Sequence, residues 1–428
     1  MRASAEVLAA ALLAIVLAWP VAAQDHHHDH DAAVGATVDE LVEIARRMNP
    51  DLQVAALEAE AASARVAGAD SLADPKFQVT VMDWPRNQPG YLPTNPASGT
   101  TKKLYLTQEL PFWGKLDLKK EIAEAGARKA AVLRMQVEHD LIAKVKAAYA
   151  EYHSAHLSID LARDLRARMD TLVRLAGARY AQGLGKQQDV TRAAVERSAL
   201  ESEIIRLDGE RRKARVKINR LLGRALDGPL VEAPASRPLP PDEALELSAL
   251  TARARQGNAE IRAQAATIEG ADKSAELADM GWYPNFDVGV GAVKTQGDWS
   301  GYEAMVSLNL PLRWGLRESE IGEAKAMAAA ARSKREALLQ DTGNALADSW
   351  IALKSARAVE ALLKESQLPQ AELGFQAAAK GYELGRTEFI DVLSAEQQLW
   401  KSHIDLIKVL FEQQIRLAEI EKLVGGEL

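Results

Sequence analysis

The stretch Tyr180-Ala181-Gln182-Gly183, followed by Asp189-Val190, returns near the end of the chain as Tyr382-Glu383-Leu384-Gly385, followed by Asp391-Val392. The two tyrosines are 202 positions apart, and so are the two aspartates. This period is far longer than the roughly 20 to 50 residues of a solenoid repeat. The sequence therefore predicts two equivalent structural halves, 38–222 and 242–428, each with one tight turn.

Each half is predicted to be mainly helical. Proline is absent between Pro111 and Pro229, and apolar residues there recur every three or four positions, as in a coiled-coil seam. The seam residues are Val137, Leu141, Val145, Ala148 and Tyr152. The helices predicted around the turns are Lys115–Tyr180, Asp189–Leu222, Leu316–Tyr382 and Glu388–Val424. At about 1.5 Å per residue, the first would be on the order of 100 Å long.

Glycine and proline mark where these helices end or bend. Gly183 and Gly185 lie in the first turn, 183–188, and Gly385 lies in the second, 383–387, where a tight reversal needs positive φ or a close backbone approach. Pro369, which replaces Ala167 of the first half, predicts a kink in the second long helix.

A shorter helix is predicted to open each half, and a linker joins the halves. The predicted short helices are Val38–Leu72 and Asp242–Asp279. The segment 223–241 contains five prolines, which neither a helix nor a central strand tolerates, so it is predicted to be a loop.

Four segments alternate apolar and polar residues with a period of two, the pattern of strands with two different faces. They are 76–84, 102–111, 285–294 and 302–311. The last strand of each pair leads into related junctions, Leu110-Pro111-Phe112-Trp113-Gly114 and Leu310-Pro311-Leu312-Arg313-Trp314-Gly315. Loops rich in glycine, proline and asparagine join each pair, one of them with Tyr91 near its centre.

Strands of this length fit an outer membrane crossed at a tilt, with the apolar face toward lipid. Four strands cannot close a barrel, and open sheet edges are not viable in lipid. Three chains together would supply 12 strands, an even number within the range of such barrels, so the sequence predicts that a homotrimer pools its strands into one β-barrel. The alternative is a small soluble four-stranded sheet that caps a helical bundle.

Composition indicates an exported protein that does not bind nucleic acid. An apolar run from Val7 to Trp19 and the small residues Val21 and Ala23 predict a signal peptide over 1–23, with the mature chain starting at Gln24. The chain has no cysteine, which excludes disulfides and thiolate metal sites. A formal charge of −7 gives no basic footprint for nucleic acid.

The duplicated turns and junctions together resemble the TolC-like outer-membrane efflux factors, and the resemblance runs from about Val38 to Val424. It implies a trimeric channel in the outer membrane of a Gram-negative bacterium, with a 12-stranded β-barrel and a long-helix coiled-coil α-barrel that extends into the periplasm. There it would dock on a periplasmic adaptor (membrane fusion) protein and an inner-membrane pump of the resistance-nodulation-division type. The chain is most similar to the outer-membrane components of cobalt–zinc–cadmium and copper–silver efflux systems.

The resemblance makes a passive exit duct for heavy-metal cations the expected function, in contact with outer-membrane lipid and without a cofactor. A duct of the same fold for drugs or other organic solutes remains an alternative. A periplasmic coiled-coil adaptor would need further β domains between its helices, and a general porin would need many more strands per chain. No constellation of catalytic residues is visible, so the protein is not expected to be an enzyme.

The residues around the turns are candidates for a periplasmic gate. Asp391, which aligns with the gating aspartate of the resembled family, and Asp189 would each be repeated three times around the mouth of a trimer and favour cations. Arg386 and Tyr382 would hold neighbouring helices closed. The alternative for both acids is stabilisation of a helix N-terminus.

The N-terminal region is a candidate metal site. Imidazole and carboxylate groups are ligands of zinc, nickel, cobalt and copper(II), and seven of them are consecutive. They are Asp25, His26, His27, His28, Asp29, His30 and Asp31. The alternative is a solvated tail with incidental affinity. His153 and His156 share a helix face but have no visible third ligand.

Overall fold

A computed structural model describes residues 33–82, 101–231, 236–295 and 298–428. The predicted signal peptide, the His/Asp-rich tail and the loop that contains Tyr91 lie outside these residues, as do residues 232–235 of the predicted linker. None of the described helices is both long and apolar enough to cross a membrane.

The described residues are mainly helical, with four antiparallel strands, and the two halves repeat the same element order, as the sequence predicted. The first half contains α1 (Val38–Met48), α2 (Pro50–Ala69), β1 (Lys76–Met82), β2 (Thr101–Leu110), α3 (Lys115–Ala181) and α4 (Gln187–Leu222). The second half contains α5 (Leu247–Gly257), α6 (Ala259–Asp279), β3 (Phe286–Thr295), β4 (Asp298–Leu308), α7 (Trp314–Leu362), α8 (Leu368–Glu383) and α9 (Phe389–Val424). Short 3₁₀ turns at Asp242–Leu245 and Met280–Trp282 precede α5 and β3.

The prediction of one continuous short helix at the start of each half was wrong. An asparagine with extended backbone interrupts each of them, at Asn49 and Asn258. In each case the side-chain oxygen accepts hydrogen bonds from two backbone N–H groups of the following helix, at 2.9 and 3.2 Å for Asn49 and at 3.0 and 3.2 Å for Asn258. Capping by asparagine therefore starts a new helix although the apolar period continues through the break.

The long helices pack along apolar seams as predicted. Of the predicted seam residues, Leu141, Val145, Ala148 and Tyr152 are buried. In the second half, the seam of α7 includes Leu346 and Leu353, which are fully buried against Leu245 and Ile420. A separate apolar cluster near the turns joins the two halves through Met169 of α3, Phe375 of α8 and Leu399 of α9.

The second long helix is interrupted where Pro369 predicted a kink. A π-helical turn, Leu363–Gln367, separates α7 from α8, and Pro369 occupies the first turn of α8. Proline has no N–H to donate and its ring crowds the preceding turn, so a widened turn just before it relieves both problems.

The four strands form one antiparallel sheet in the order β1-β2-β3-β4, with β1 and β4 at its edges. Strand β4 starts and ends earlier than the predicted 302–311. It starts earlier because its pairing with β3 continues past a bulge at Val293/Lys294 to the pair Thr295 and Asp298. Leu310 and Pro311 thus lie beyond the strand.

Cross-strand rows separate the two faces of the sheet. On the apolar face, Phe77, Leu106, Val290 and Ala304 form one row; on the polar face, Gln78, Tyr105, Gly291 and Glu303 form the next. Both Tyr105 and Lys103 hydrogen-bond to Glu303 across Gly291, with Lys103 Nζ 2.8 Å from Glu303 Oε1. A Cβ atom at Gly291 would lie 2.6 Å from the Tyr105 ring, so glycine is needed there.

Candidate functional site

The predicted turns lie side by side at the end of the molecule opposite to the sheet, and their backbones are equivalent. Gly183 and Gly385 have φ of 70° and 72°. In the first turn Leu184 N–H donates to Arg179 O at 2.9 Å, and in the second Arg386 N–H donates to Gly381 O at 2.8 Å. This is the Schellman arrangement, in which a left-handed glycine satisfies the last carbonyls of a helix.

Gly185 has a different role from the other two glycines. A Cβ atom there would lie 3.1 Å from the Cβ of Arg179 and 3.2 Å from the backbone nitrogen of Tyr180. Close approach of the chain, rather than a left-handed conformation, therefore favours glycine at this position.

Arg179 ties the two turns together. Its Nη1 donates to the carbonyls of Tyr382 at 2.7 Å and Glu383 at 2.9 Å, and its Nη2 donates to Leu184 O at 3.1 Å. The guanidinium also lies 4.9 Å from the centre of the Tyr382 ring, a cation–π distance. Its positive charge lies at the C-terminal ends of both α3 and α8, where it stabilises the negative ends of the two helix dipoles.

Sequence reasoning missed Arg179 because an arginine in the last turn of a polar helix face is ordinary. The available signal was the repeat itself. The position equivalent to Arg179 in the second half is Gly381, where a Cβ atom would lie 2.8 Å from the Thr387 side chain, so only the first half has an arginine at this position.

Tyr382 and Asp189 are brought together by the fold. Tyr382 is buried, its ring packs edge-on against Phe389 with centroids 5.2 Å apart, and its hydroxyl donates to Asp189 Oδ2 at 3.3 Å. Burial, followed by the nearby Asp189 carboxylate, raises the pKa of the Tyr382 phenol. The hydroxyl therefore stays protonated and can act as a donor at neutral pH.

Asp391 and Arg386 do not join that contact. Asp391 is exposed in the first turn of α9, and its Oδ2 accepts the Glu388 N–H at 3.1 Å within a reciprocal capping box. The exposed Arg386 lies in the turn just before it. Glu388 also pairs with Lys186 of the first turn at 3.2 Å, both being exposed.

A buried acid lies on α9 between the turn and the middle of the helix. Glu396 is 1% exposed, and neither of its carboxylate oxygens has a hydrogen-bond partner. Burial, followed by the nearby charge of Glu196 on α4, raises the pKa of Glu396 to about 7. Sequence reasoning missed it because burial of one glutamate in a helix depends on tertiary packing.

The described residues offer no metal centre. They contain no group of three or more histidine, cysteine or acidic side chains able to hold an ion. His156 Nε2 contacts Asp160 at 3.3 Å on the same helix, which is a local pair. The His/Asp-rich run from Asp25 to Asp31 lies outside the described part of the chain.

The chain matches the family model "Outer membrane efflux protein" over residues 41–224 and 250–426. It is 26% identical over 407 residues to the cobalt-zinc-cadmium resistance protein CzcC of Cupriavidus metallidurans, covering 92% of this chain and 91% of that protein. The fusaric acid resistance protein FusA of Burkholderia cepacia is 26% identical over 291 residues, 62% of this chain and 53% of FusA.

The fold matches a crystal structure of CusC with a TM-score of 0.77 and 18% identity, covering 92% of this chain and 94% of the other. That likeness extends over both halves and the sheet. Because its relatives are efflux channels, the expectation of a non-enzymatic protein is confirmed. The two matched segments cover most of both halves, and the chain belongs to the outer membrane efflux protein family.

Proposed function

We propose that the protein is the outer-membrane exit duct of a tripartite efflux system and works as a homotrimer. The observation that carries this proposal is the sheet, which has one apolar face and whose edge strands, β1 and β4, pair with no further strand among the described residues. Unpaired edges are not viable in lipid, and pairing β4 of one chain with β1 of the next satisfies them. Three chains then supply 12 strands, an even number within the range of such barrels.

The junction between the sheet and the long helices supports a membrane boundary at that level. Trp113, which is 76% exposed, lies three residues after β2, and Trp314, which is 67% exposed, is the first residue of α7. Tyr283 precedes β3 and stacks on Phe112 with centroids 4.6 Å apart. Aromatic side chains of this kind collect where a barrel meets the lipid headgroups. The helices would then extend from this boundary into the periplasm.

Passive transport is proposed because the family of this chain consists of efflux channel proteins. Energy is supplied by a pump of the resistance-nodulation-division type in the inner membrane, and a periplasmic adaptor protein connects it to the turn end of the duct. Oligomeric state is the direct test of the assembly. Detergent-extracted protein should have the mass of a trimer in native mass spectrometry, and a stable monomer would contradict the proposed barrel.

Heavy-metal cations are the proposed substrate. The relation to CzcC, named for cobalt-zinc-cadmium resistance, supports this over most of the chain. An organic solute is the second candidate, because FusA, named for fusaric acid resistance, is related over a smaller part. Deleting the gene should lower tolerance to zinc, cobalt or cadmium. A deletion strain that loses tolerance to organic compounds alone would favour the second candidate.

The gate is proposed at the turns, with Asp391 and Asp189 as threefold rings of negative charge and Tyr382 and Arg386 as closing residues. In planar-bilayer recordings, Asp391→Ala should reduce cation selectivity and relieve block by trivalent cations, while Arg386→Ser should raise conductance and leave that block in place. Asp51→Ala is a matched control, since Asp51 is also an exposed acid in the first turn of a helix.

The capping box makes a different prediction for the same variant. If Asp391 acts only on its helix, Asp391→Ala lowers stability by about 1 kcal/mol per chain and leaves selectivity and block unchanged. A thermal melt recorded beside the conductance therefore separates the two roles.

The N-terminal residues Asp25 to Asp31 are proposed to gather metal near the duct. Zinc or nickel should bind the full-length protein at neutral pH and be released as the imidazoles protonate near a pKa of about 6.5. Removing the segment should lower the metal stoichiometry measured by calorimetry without changing the trimer mass. An unchanged stoichiometry would place the binding elsewhere.

A further inference from the structure

Two lysines face each other on the apolar side of the sheet. Lys102 of β2 and Lys294 of β3 are cross-strand partners, in a row completed by Val81 and Trp299. Directly opposed residues point to the same side of a sheet, and two like charges there repel each other. The next apolar-face row toward the helices consists of Val79, Leu104, Ala292 and Tyr302, the last of which is 93% exposed.

The acidic side chains of the described strands do not compensate these lysines. By their register, Glu109, Asp287, Asp298 and Glu303 all lie on the polar face. The adjacent Lys103 shows the contrast, because it points to the polar face and pairs with Glu303 at 2.8 Å. The apolar face therefore carries two positive charges near one end. No carboxylate of the described strands lies on that face to neutralise them.

Trp299 gives the lysine row the composition of a membrane interface. Its ring is 61% exposed, and Lys294 Nζ lies 5.7 Å from the ring centre. Tryptophan prefers the headgroup level of a bilayer, and the stem of a lysine can bury itself while its ammonium reaches the polar layer.

The distance between the two ends of the sheet agrees with this position. Lys102 is eight residues from Leu110, where β2 meets the junction that carries Trp113. Eight residues span about 27 Å along a strand, and a tilt of about 40° leaves roughly 20 Å of height, close to the apolar band of about 25 Å in outer-membrane barrels. The lysine row is thus at the edge of the apolar band farthest from the helices.

We infer that Lys102, Lys294 and Trp299 form a binding site for the phosphate-bearing headgroup of an outer-leaflet lipid, repeated in each chain. This inference rests on the proposed orientation, with the helices in the periplasm. A phosphate between the two ammonium groups removes their repulsion, and Trp299 and Tyr302 contact the lipid beside it. Basic residues at the headgroup level are known to select anionic lipids.

The test is native mass spectrometry of the full-length protein in detergent with diphosphoryl lipid A as the probe and phosphatidylcholine as the comparison. The wild-type protein should retain lipid A in preference to phosphatidylcholine. K102Q/K294Q should weaken lipid A retention by about tenfold or more, while K102R/K294R, which keeps the charges, should retain it. K76Q/K119Q removes two lysines near the junction end and is the matched control.

Equal lipid A retention by K102Q/K294Q and wild type would overturn the inference, as would equal retention of the two lipids by wild type. Competition by millimolar inorganic phosphate would indicate a free-anion site and would also overturn it. The same spectra report the mass of the assembly, so failure to form the proposed trimer is distinguished from failure to bind lipid.

Discussion

The two halves of the chain match closely where the short helices are interrupted and differ at the turns. Asn49 Nδ2 donates to Leu221 O at 2.8 Å, and Asn258 Nδ2 donates to Leu423 O at 3.0 Å, so the same side chain makes the same contact in both halves. At the turns the backbone is also shared, but Arg179 corresponds to Gly381 and Lys186 to Glu388. The shared asparagines keep the same helix break in both halves, whereas the divergent Arg179 and Lys186 give the two turns different side-chain contacts.

A second divergence lies near the linker. Lys146 and Glu421 are buried and paired at 2.9 Å, Lys146 also contacts Glu427 at 2.7 Å, and Arg237 of the linker completes the cluster by pairing with Glu421. The residue equivalent to Glu421 in the first half is Asn219, whose side chain donates to the Gly228 carbonyl at 2.8 Å. The linker is thus held by neutral bonds at one end and by charges at the other.

The largest expected effect concerns this charged cluster. Lys146→Met leaves Glu421 buried with Arg237 as its remaining basic partner. Leaving a buried charge wholly unpaired costs about 3–5 kcal/mol, so the loss here should approach about 3 kcal/mol. The midpoint of thermal unfolding in detergent should fall accordingly. Lys217→Met, which removes an exposed pair with Glu151, is the control and should cost less than about 1 kcal/mol. Similar losses of stability in both variants would show that the buried cluster stabilises the protein no more than an exposed ion pair does.

The residue equivalent to Glu396 in the first half is Ala194. Because only the second half has an acid at this position, Glu396 should make the stability of the protein depend on pH. Its pKa rises from 4.5 to about 7 on folding, so the folded protein keeps a proton that the unfolded chain releases. Stability should therefore fall as the pH rises through this window, by about 3 kcal/mol in full. Glu396→Gln should flatten that dependence and raise the melting temperature at pH 8, with Glu196→Gln as the weaker control. Parallel pH profiles for Glu396→Gln and wild type would contradict the assignment.

The matching asparagines should behave alike. Asn49→Ala and Asn258→Ala each remove a helix cap and a buried bond to a carbonyl, at a cost of about 1–2 kcal/mol. Thermal melts of the two single variants should shift by similar amounts. If one shift were several times the other, the equivalence of the two halves at this point would be broken.

The smallest expected effect separates the two repeat tyrosines. Tyr382→Phe removes the bond to Asp189 and should cost about 0.5–1 kcal/mol, whereas Tyr180, 48% exposed, should tolerate phenylalanine without a measurable change in melting. Conductance recorded on both variants sharpens the comparison, because a closing role for Tyr382 predicts more frequent opening in that variant alone. Identical conductance records for the two variants would contradict a closing role that belongs to Tyr382 alone.

The positions of the long helices and of the strands were predictable from the sequence, because each rests on a pattern that extends over many residues. The seam around Val145 and the alternation around Leu106 predicted the helices and strands because many residues share the signal. The breaks at Asn49 and Asn258 were missed because a single cap overrides an unbroken period. Arg179 and Glu396 were missed for another reason, since their importance lies in contacts with residues about 200 positions away or on another helix.

The π-helical turn has a consequence for how the two halves diverged. On the N-terminal side of this turn, equivalent buried residues of the two halves are 201 positions apart, as Val145 and Leu346 are. Tyr152 and Leu353 have the same spacing. On its C-terminal side the spacing is 202, as for Tyr180 and Tyr382. A π turn accommodates one extra residue without changing the faces of the helix on either side. The turn at Leu363–Gln367 thus reads as a single-residue insertion, absorbed locally so that both ends of the helix kept their original partners.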